Sequence, residues 1–246
     1  MMKISSVSLF NGMLGLVLMA LTPINSSAKD NANILQATGL SDKIIEVTAS
    51  PIKNLDMVIL KGGGVVYVSK DGQFLFEGRM IGESPEGPVD LTAPIERQGR
   101  AKTIDSISSE KFITYKAKGD LISYVTVFTD VGCPFCQKFH KEIDELTSAG
   151  IGVRYLPFPR SGVNGKDFAP LKSIWCAKNP KDAMDSAMKN RRIPEASCSS
   201  ADIDIQASFE LGRAMKVRGT PAIIFPDGEI VIGYIDAKSL INKLKK

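Results

Sequence analysis

The chain has 246 residues, 43% of them hydrophobic and 24% charged, with a formal net charge of +4. That length accommodates two modest domains. The 31 basic and 27 acidic side chains are unevenly distributed, yet no segment is basic enough to point to nucleic acid.

Lys3, the apolar run Val7 to Leu21 and the small residues Ser26-Ser27-Ala28 have the layout of a secretory signal peptide over residues 1–28, cleaved before Lys29. Asn11, Gly12 and Gly15 interrupt the run, which is short for a membrane span. No later stretch is apolar enough to cross a bilayer. An exported chain permits disulfides.

Residues 29–90 form the first expected domain. A weakly amphipathic helix around Ala32 to Thr38 precedes strands at Lys43–Val47 and Leu55–Leu60. Val65–Ser69 and Gln73–Glu77 flank Lys70-Asp71-Gly72, a hairpin signal because Asp-Gly supplies the positive φ of a tight turn. Tyr67, Phe74, Phe76 and Met80 are expected in the core or at an interface, with a share lining a groove for unfolded chains. A domain of about 60 residues buries only about 60% of its unfolded surface, which favours pairing with a copy.

Gly82 to Pro94, rich in Gly, Pro, Ser and Glu, marks a boundary. Within the linker, 91–118, a helix is expected over Pro94–Ser109, with Thr92 as its N-cap. Ile95, Ile104 and Ile107 give a thin apolar stripe, and Gly99 costs about 1 kcal/mol relative to Ala. The helix therefore reads as a connector, solvent-exposed along much of its length.

Residues 119–246 alternate. Strand Leu121–Phe128, helix Cys133–Ser148 and strand Ile151–Leu156 lead into a polar, helical region from Lys166 to Met215. Strand Ala222–Phe225, a Pro226-Asp227-Gly228 turn, strand Glu229–Tyr234 and helix Ala237–Lys245 follow. This order resembles thioredoxin with a helical inset.

Cys133-Pro134-Phe135-Cys136 lies between a strand and a helix, the setting of a redox Cys-x-x-Cys. At the helix start, unpaired N–H groups and the macrodipole favour a thiolate on Cys133, the reactive species in disulfide exchange. Zinc sites instead pair two close Cys/His couples, and an inert bridge closing so small a loop would stabilise little. Thr220-Pro221 precedes a strand, where a cis proline facing the cysteines would offer Thr220 backbone groups to an extended substrate. Four cysteines allow three pairings, and spacing argues for Cys133–Cys136 and Cys176–Cys198. The latter reads as structural, worth roughly 3 kcal/mol, with a second redox pair as the alternative. His140, the single histidine, reads as an exposed helix residue, and Lys138 and Lys141 as a solvated face. The chemistry calls for no cofactor and no metal.

These stretches resemble the DsbC/DsbG family of periplasmic disulfide isomerases over essentially the whole mature length. Gly64 to Gly72, Phe128-Thr129-Asp130 leading into the cysteine pair, and Gly150 to Arg160 carry the likeness. Ile174 to Lys178, Ala196-Ser197-Cys198 and Gly219 to Ala222 carry it too. The resemblance implies an α+β chain: a cystatin-like β-rich dimerisation domain, a linker helix and a thioredoxin-like catalytic domain with a helical insertion. It implies a periplasmic V-shaped homodimer whose cleft holds misfolded disulfide-containing exported proteins, kept reduced by a membrane thiol reductase of the DsbD type. Cys133 is then the attacking thiolate, Cys136 the resolving thiol, Thr220 and Pro221 the substrate-facing loop, and Cys176–Cys198 the structural bridge. In that family the isomerase branch has Gly-Tyr between the cysteines and the other branch Pro-Tyr. Pro134-Phe135 stands nearer the second, and this dipeptide helps set the reduction potential.

Overall fold

A computed structural model describes residues 34–245. The expected signal peptide lies outside them, as do Ala32 and Asn33 of the expected first helix; residues 34–37 are helical (α1). Among the described residues no helix is long and apolar enough to cross a membrane.

Four antiparallel strands follow in sequential order: β1 (Ile44–Ala49), β2 (Leu55–Leu60), β3 (Val65–Ser69) and β4 (Leu75–Glu77). Every residue of β2 is buried, because both faces of this small sheet are covered. On one face Val58 and Leu60 pack with Val66, Val68 and Leu35 of α1. On the other, Leu55 and Met57 pack with Val65, Tyr67 and Ile95. The expected turn forms at Gly72, whose φ is +69°, and the Asp71 carboxylate accepts the Gln73 N–H at 3.1 Å. Tyr67 is core, as its alternation suggests. Phe74 and Phe76 are not: they are 64% and 49% exposed, just before and on β4, the edge of this sheet among the described residues.

The Gly- and Pro-rich stretch contains a separate hairpin, β5 (Ile81–Ser84) and β6 (Gly87–Asp90), which leads into α2 (Thr92–Asp105). Thr92 is not the cap of this helix. The Asp90 carboxylate accepts the N–H groups of Thr92 and Ala93 at 2.9 and 3.0 Å, whereas the Thr92 hydroxyl is buried against Tyr67 and accepts the Met80 N–H.

Nor is α2 an exposed connector. Gly99 is buried, and the Thr103 hydroxyl accepts the Gly62 N–H at 3.0 Å. On its other side Arg100 Nε donates to the Gly228 carbonyl at 2.7 Å, Arg97 pairs with Asp227, and Glu96 with Lys216. The missing side chain at Gly99 is what allows this approach. A β-carbon there would sit 2.6 Å from Ile59 Cγ2 and 2.9 Å from the Gly63 α-carbon. Gly99→Ala is thus expected to destabilise by about 1–3 kcal/mol through overpacking, although Ala is the better helix former. Urea unfolding checks this, and a stabilised variant would refute the contact.

The second sheet has the order β11-β10-β8-β9-β7. Its centre is the parallel pair β8 (Ser123–Thr129) and β9 (Ile151–Pro157). β10 (Ala222–Ile224) and β11 (Ile230–Ile232) flank one side and β7 (Ile113–Tyr115) the other, all antiparallel. β7 falls in a segment expected to be linker. The helix expected over Cys133–Ser148 is two, α3 (Pro134–His140) and α4 (Ile143–Ser148). At the break the Glu142 carboxylate accepts the Ala237 N–H at 2.8 Å and the Tyr234 hydroxyl. That draws the chain towards α8 (Ala237–Leu244).

The inset consists of α5 (Phe168–Trp175), α6 (Pro180–Asn190) and α7 (Ser199–Ala214). Leu171, Ile174 and Ile205 of the inset join Phe139 of α3, Leu146 of α4 and Leu240 of α8 in one core with Val125, Val127 and Val153. The packed sheet and helices fix the end of β8, where the cysteine pair begins.

Candidate active site

β8 ends at Thr129, and four residues later Cys133 occupies the N-cap of α3 with extended backbone. Pro134 follows at the first helical position, where the missing N–H has no partner to lose. The Cys133 N–H donates to the Asp130 carbonyl at 3.0 Å, and the Cys133 carbonyl accepts the Gln137 N–H at 3.1 Å. Both cysteines are free thiols and both are buried, while Gly132, Pro134 and the 59% exposed Phe135 form an open rim.

The two thiols are unequal. A hydrogen bond from Cys136 pulls the Cys133 pKa down to about 5, against the opposing effect of burial. Thr220 and the N–H groups of Cys136 and Phe135 act in the same downward direction. Cys136 is pushed well above its ordinary value, by burial first and then by donating to Cys133. The buried hydroxyls of Thr129 and Thr220 have no oxygen or nitrogen partner among the described residues and act on the Cys136 sulfur.

Thr220 and Pro221 come to the pair from 85 residues downstream in sequence. Their peptide bond is cis, and in the thiol form Cys133 Sγ donates to the Thr220 carbonyl at 3.2 Å. The Pro221 carbonyl accepts the Gly233 N–H at 2.8 Å. Cys176 and Cys198 form a disulfide, Cα–Cα 5.6 Å, joining the end of α5 to the start of α7 across α6.

His140 departs from expectation. It is 3% exposed, with Nε2 3.1 Å from Asp185 and Nδ1 3.3 Å from the Tyr155 hydroxyl. Burial holds its pKa down to about 4, against the pull of Asp185. The ring is neutral at pH 7, so Nε2–H donates to the carboxylate and Nδ1 accepts from Tyr155. Lys138 does lie on the surface, its ammonium 4.2 Å from the Tyr234 ring centre, and Lys141 is exposed.

Asp130 and Arg160 were not singled out by sequence reasoning, though both lie in the motif stretches quoted above. Asp130 is fully buried, and its carboxylate accepts the Gly132 N–H at 2.8 Å and Arg160 Nε at 2.8 Å. A hydrogen-bonding carboxylate three residues before a reactive thiol was the available signal.

Comparison with known proteins covers both parts of the chain. The thioredoxin-like domain family matches residues 108–246, and the disulfide bond isomerase protein N-terminal domain matches residues 25–93. The thiol:disulfide interchange protein DsbC of Salmonella typhimurium is 37% identical over 212 residues, spanning 86% of this chain and 85% of that protein. The chain belongs to the DsbC family. The DsbC of Haemophilus influenzae is 34% identical over 233 residues, 93% of this chain and 96% of its own length. Among solved structures, the catalytic domain of Proteus mirabilis ScsC superposes with a TM-score of 0.51 at 21% identity. It covers 61% of this chain and 99% of that domain, a likeness of fold alone.

Proposed function

We propose that this DsbC-family chain is a periplasmic thiol:disulfide interchange enzyme that reshuffles non-native disulfides in exported proteins. The observation that carries the reading is the division of labour at α3: one thiol held as thiolate, its neighbour held protonated beneath it. The Cys133 thiolate attacks one sulfur of a wrong substrate disulfide. A Cys133–substrate disulfide forms, and the other substrate sulfur leaves as thiolate. A substrate thiolate then attacks the substrate sulfur of this mixed disulfide and expels Cys133, which completes reshuffling without net redox change. In the second exit, Cys136 gives its proton to solvent and attacks Cys133, so the substrate leaves reduced and the pair is oxidised. A membrane thiol reductase of the DsbD type returns that pair to the dithiol.

Thr220 and Pro221 are the loop against which substrate lies, and Cys176–Cys198 braces the helical inset. Homodimerisation through the N-terminal domain is supported by exposed Phe74, Phe76 and Ile81. The signal-peptide pattern of residues 1–28 supports export. A second reading, reduction of singly oxidised substrate cysteines, is favoured by Pro134 between the thiols.

The test is the refolding of a scrambled multi-disulfide substrate. Cys133→Ala is expected to reduce catalysis to the uncatalysed rate. Refolding at the wild-type rate would leave only binding of unfolded chains as the activity. Light scattering of the mature protein tests the dimer, and a strict monomer would count against it.

A further inference from the structure

The Asp130–Arg160 pair abuts the turn that delivers Cys133, and the exchange steps leave it without a role. Asp130 holds that turn from both ends. Its carbonyl accepts the Cys133 N–H, and its carboxylate accepts the N–H groups of Gly132 and Arg160 at 2.8 and 3.2 Å. A buried carboxylate so close to a thiolate would by itself disfavour the charged sulfur. Arg160 offsets it. Nε is spent on Asp130, and Nη2 is turned towards the turn itself, 3.6 Å from where a β-carbon on Gly132 would sit.

Asp167 Oδ1 reaches the same point at 3.6 Å, while its other oxygen accepts the Ser161 N–H. The ionisable groups around the Gly132–Cys133 turn are Cys136 on α3, Asp130 after β8, and Arg160 and Asp167 after β9. The loop opposite presents the neutral Thr220. The Arg160 side chain remains 38% exposed, on the rim where substrate arrives. Partial burial opposes the guanidinium's charge, and Asp130, the Cys133 thiolate and Asp167 outweigh it.

We propose that Arg160 is a positioning residue for disulfide exchange: clamped by Asp130, its guanidinium is a fixed positive charge that stabilises Cys133 as a thiolate. A rigid fork suits this task better than a mobile ammonium, because one N–H anchors the group while the others remain directed. The same charge assists Cys133 twice, as attacking group and as leaving group. The inference rests on Cys133 being the nucleophile.

Thiolate absorbance of the reduced full-length protein, followed against pH, tests it. Asp130→Asn removes the buried negative charge and keeps an amide oxygen to accept from Arg160 Nε, so the guanidinium stays at the turn and the Cys133 midpoint is expected to fall below wild type. Adding Arg160→Gln to that variant is expected to raise the midpoint by about one unit, the usual scale of losing a neighbouring opposite charge. Neither variant leaves a buried carboxylate without its counter-charge, so both are suited to folding. Arg160→Lys on the same background is expected to fall between the two. Coincident titrations for Asp130→Asn and the double variant would overturn the proposal. A wild-type protein with no thiol titrating below the ordinary range would instead overturn Cys133 as nucleophile.

Discussion

At pH 6 the reduced protein is expected to be alkylated by iodoacetamide at Cys133 roughly tenfold faster than an ordinary thiol. With a pKa of about 5 in place of 9.0, some nine-tenths of Cys133 is thiolate at that pH, against about one thousandth for the unperturbed group. That is a gain of about a thousandfold in reactive species. Part is lost, because a less basic thiolate is a weaker nucleophile. A Brønsted slope of about 0.4–0.5 over this interval returns roughly 40- to 100-fold. The rate should climb as pH rises through about 5 and then level off, with Cys136 silent until far more alkaline conditions. A profile rising only through the ordinary thiol range would show that α3 and Cys136 do not hold the thiolate.

His140 should make the fold acid-sensitive. In the unfolded chain it titrates near 6.5, and in the fold near 4, because burial disfavours the imidazolium. Between those values the unfolded state binds a proton that the folded state refuses, so stability falls as pH falls. The contribution is complete above about 6.5 and is lost progressively as pH drops through about 4. At about 1.4 kcal/mol per pH unit the loss is on the order of 3 kcal/mol. His140→Gln keeps a polar group beside Asp185 and Tyr155 but does not titrate. Its urea midpoint is expected to decline less steeply than wild type between pH 7 and pH 4, whatever its absolute stability. Parallel declines would mean that the carboxylates alone carry the acid response.

What was legible in the sequence was local chemistry with one dominant solution. Asp71-Gly72 can hardly avoid a tight turn, and a Cys-x-x-Cys after a β-branched run falls at a helix start. The loop at Thr220-Pro221 needed a second signal far upstream before it could be read. What escaped depends on which faces meet. His140 and Lys141 are adjacent polar residues at the end of α3, and only the packing of α6 decides that the first is buried and the second is not. Gly99 looks like a weakness in a helix until Gly63 and Ile59 arrive against it. Phe74 and Phe76 have core composition, yet the sheet ends at β4 and leaves them outside. Glu142 breaks the helix through partners about 90 residues away, which no window of periodicity contains.

The unequal protonation of the two thiols also fixes how the pair answers to its surroundings as an electrode. From about pH 5 upward Cys133 has already given up its proton, so forming the disulfide releases one proton rather than two. For a two-electron couple that halves the response, to a fall of about 30 mV per pH unit rather than about 59. In a compartment that shares the acidity of the medium outside the cell, the potential of such a pair drifts about half as far as that of a dithiol releasing both protons.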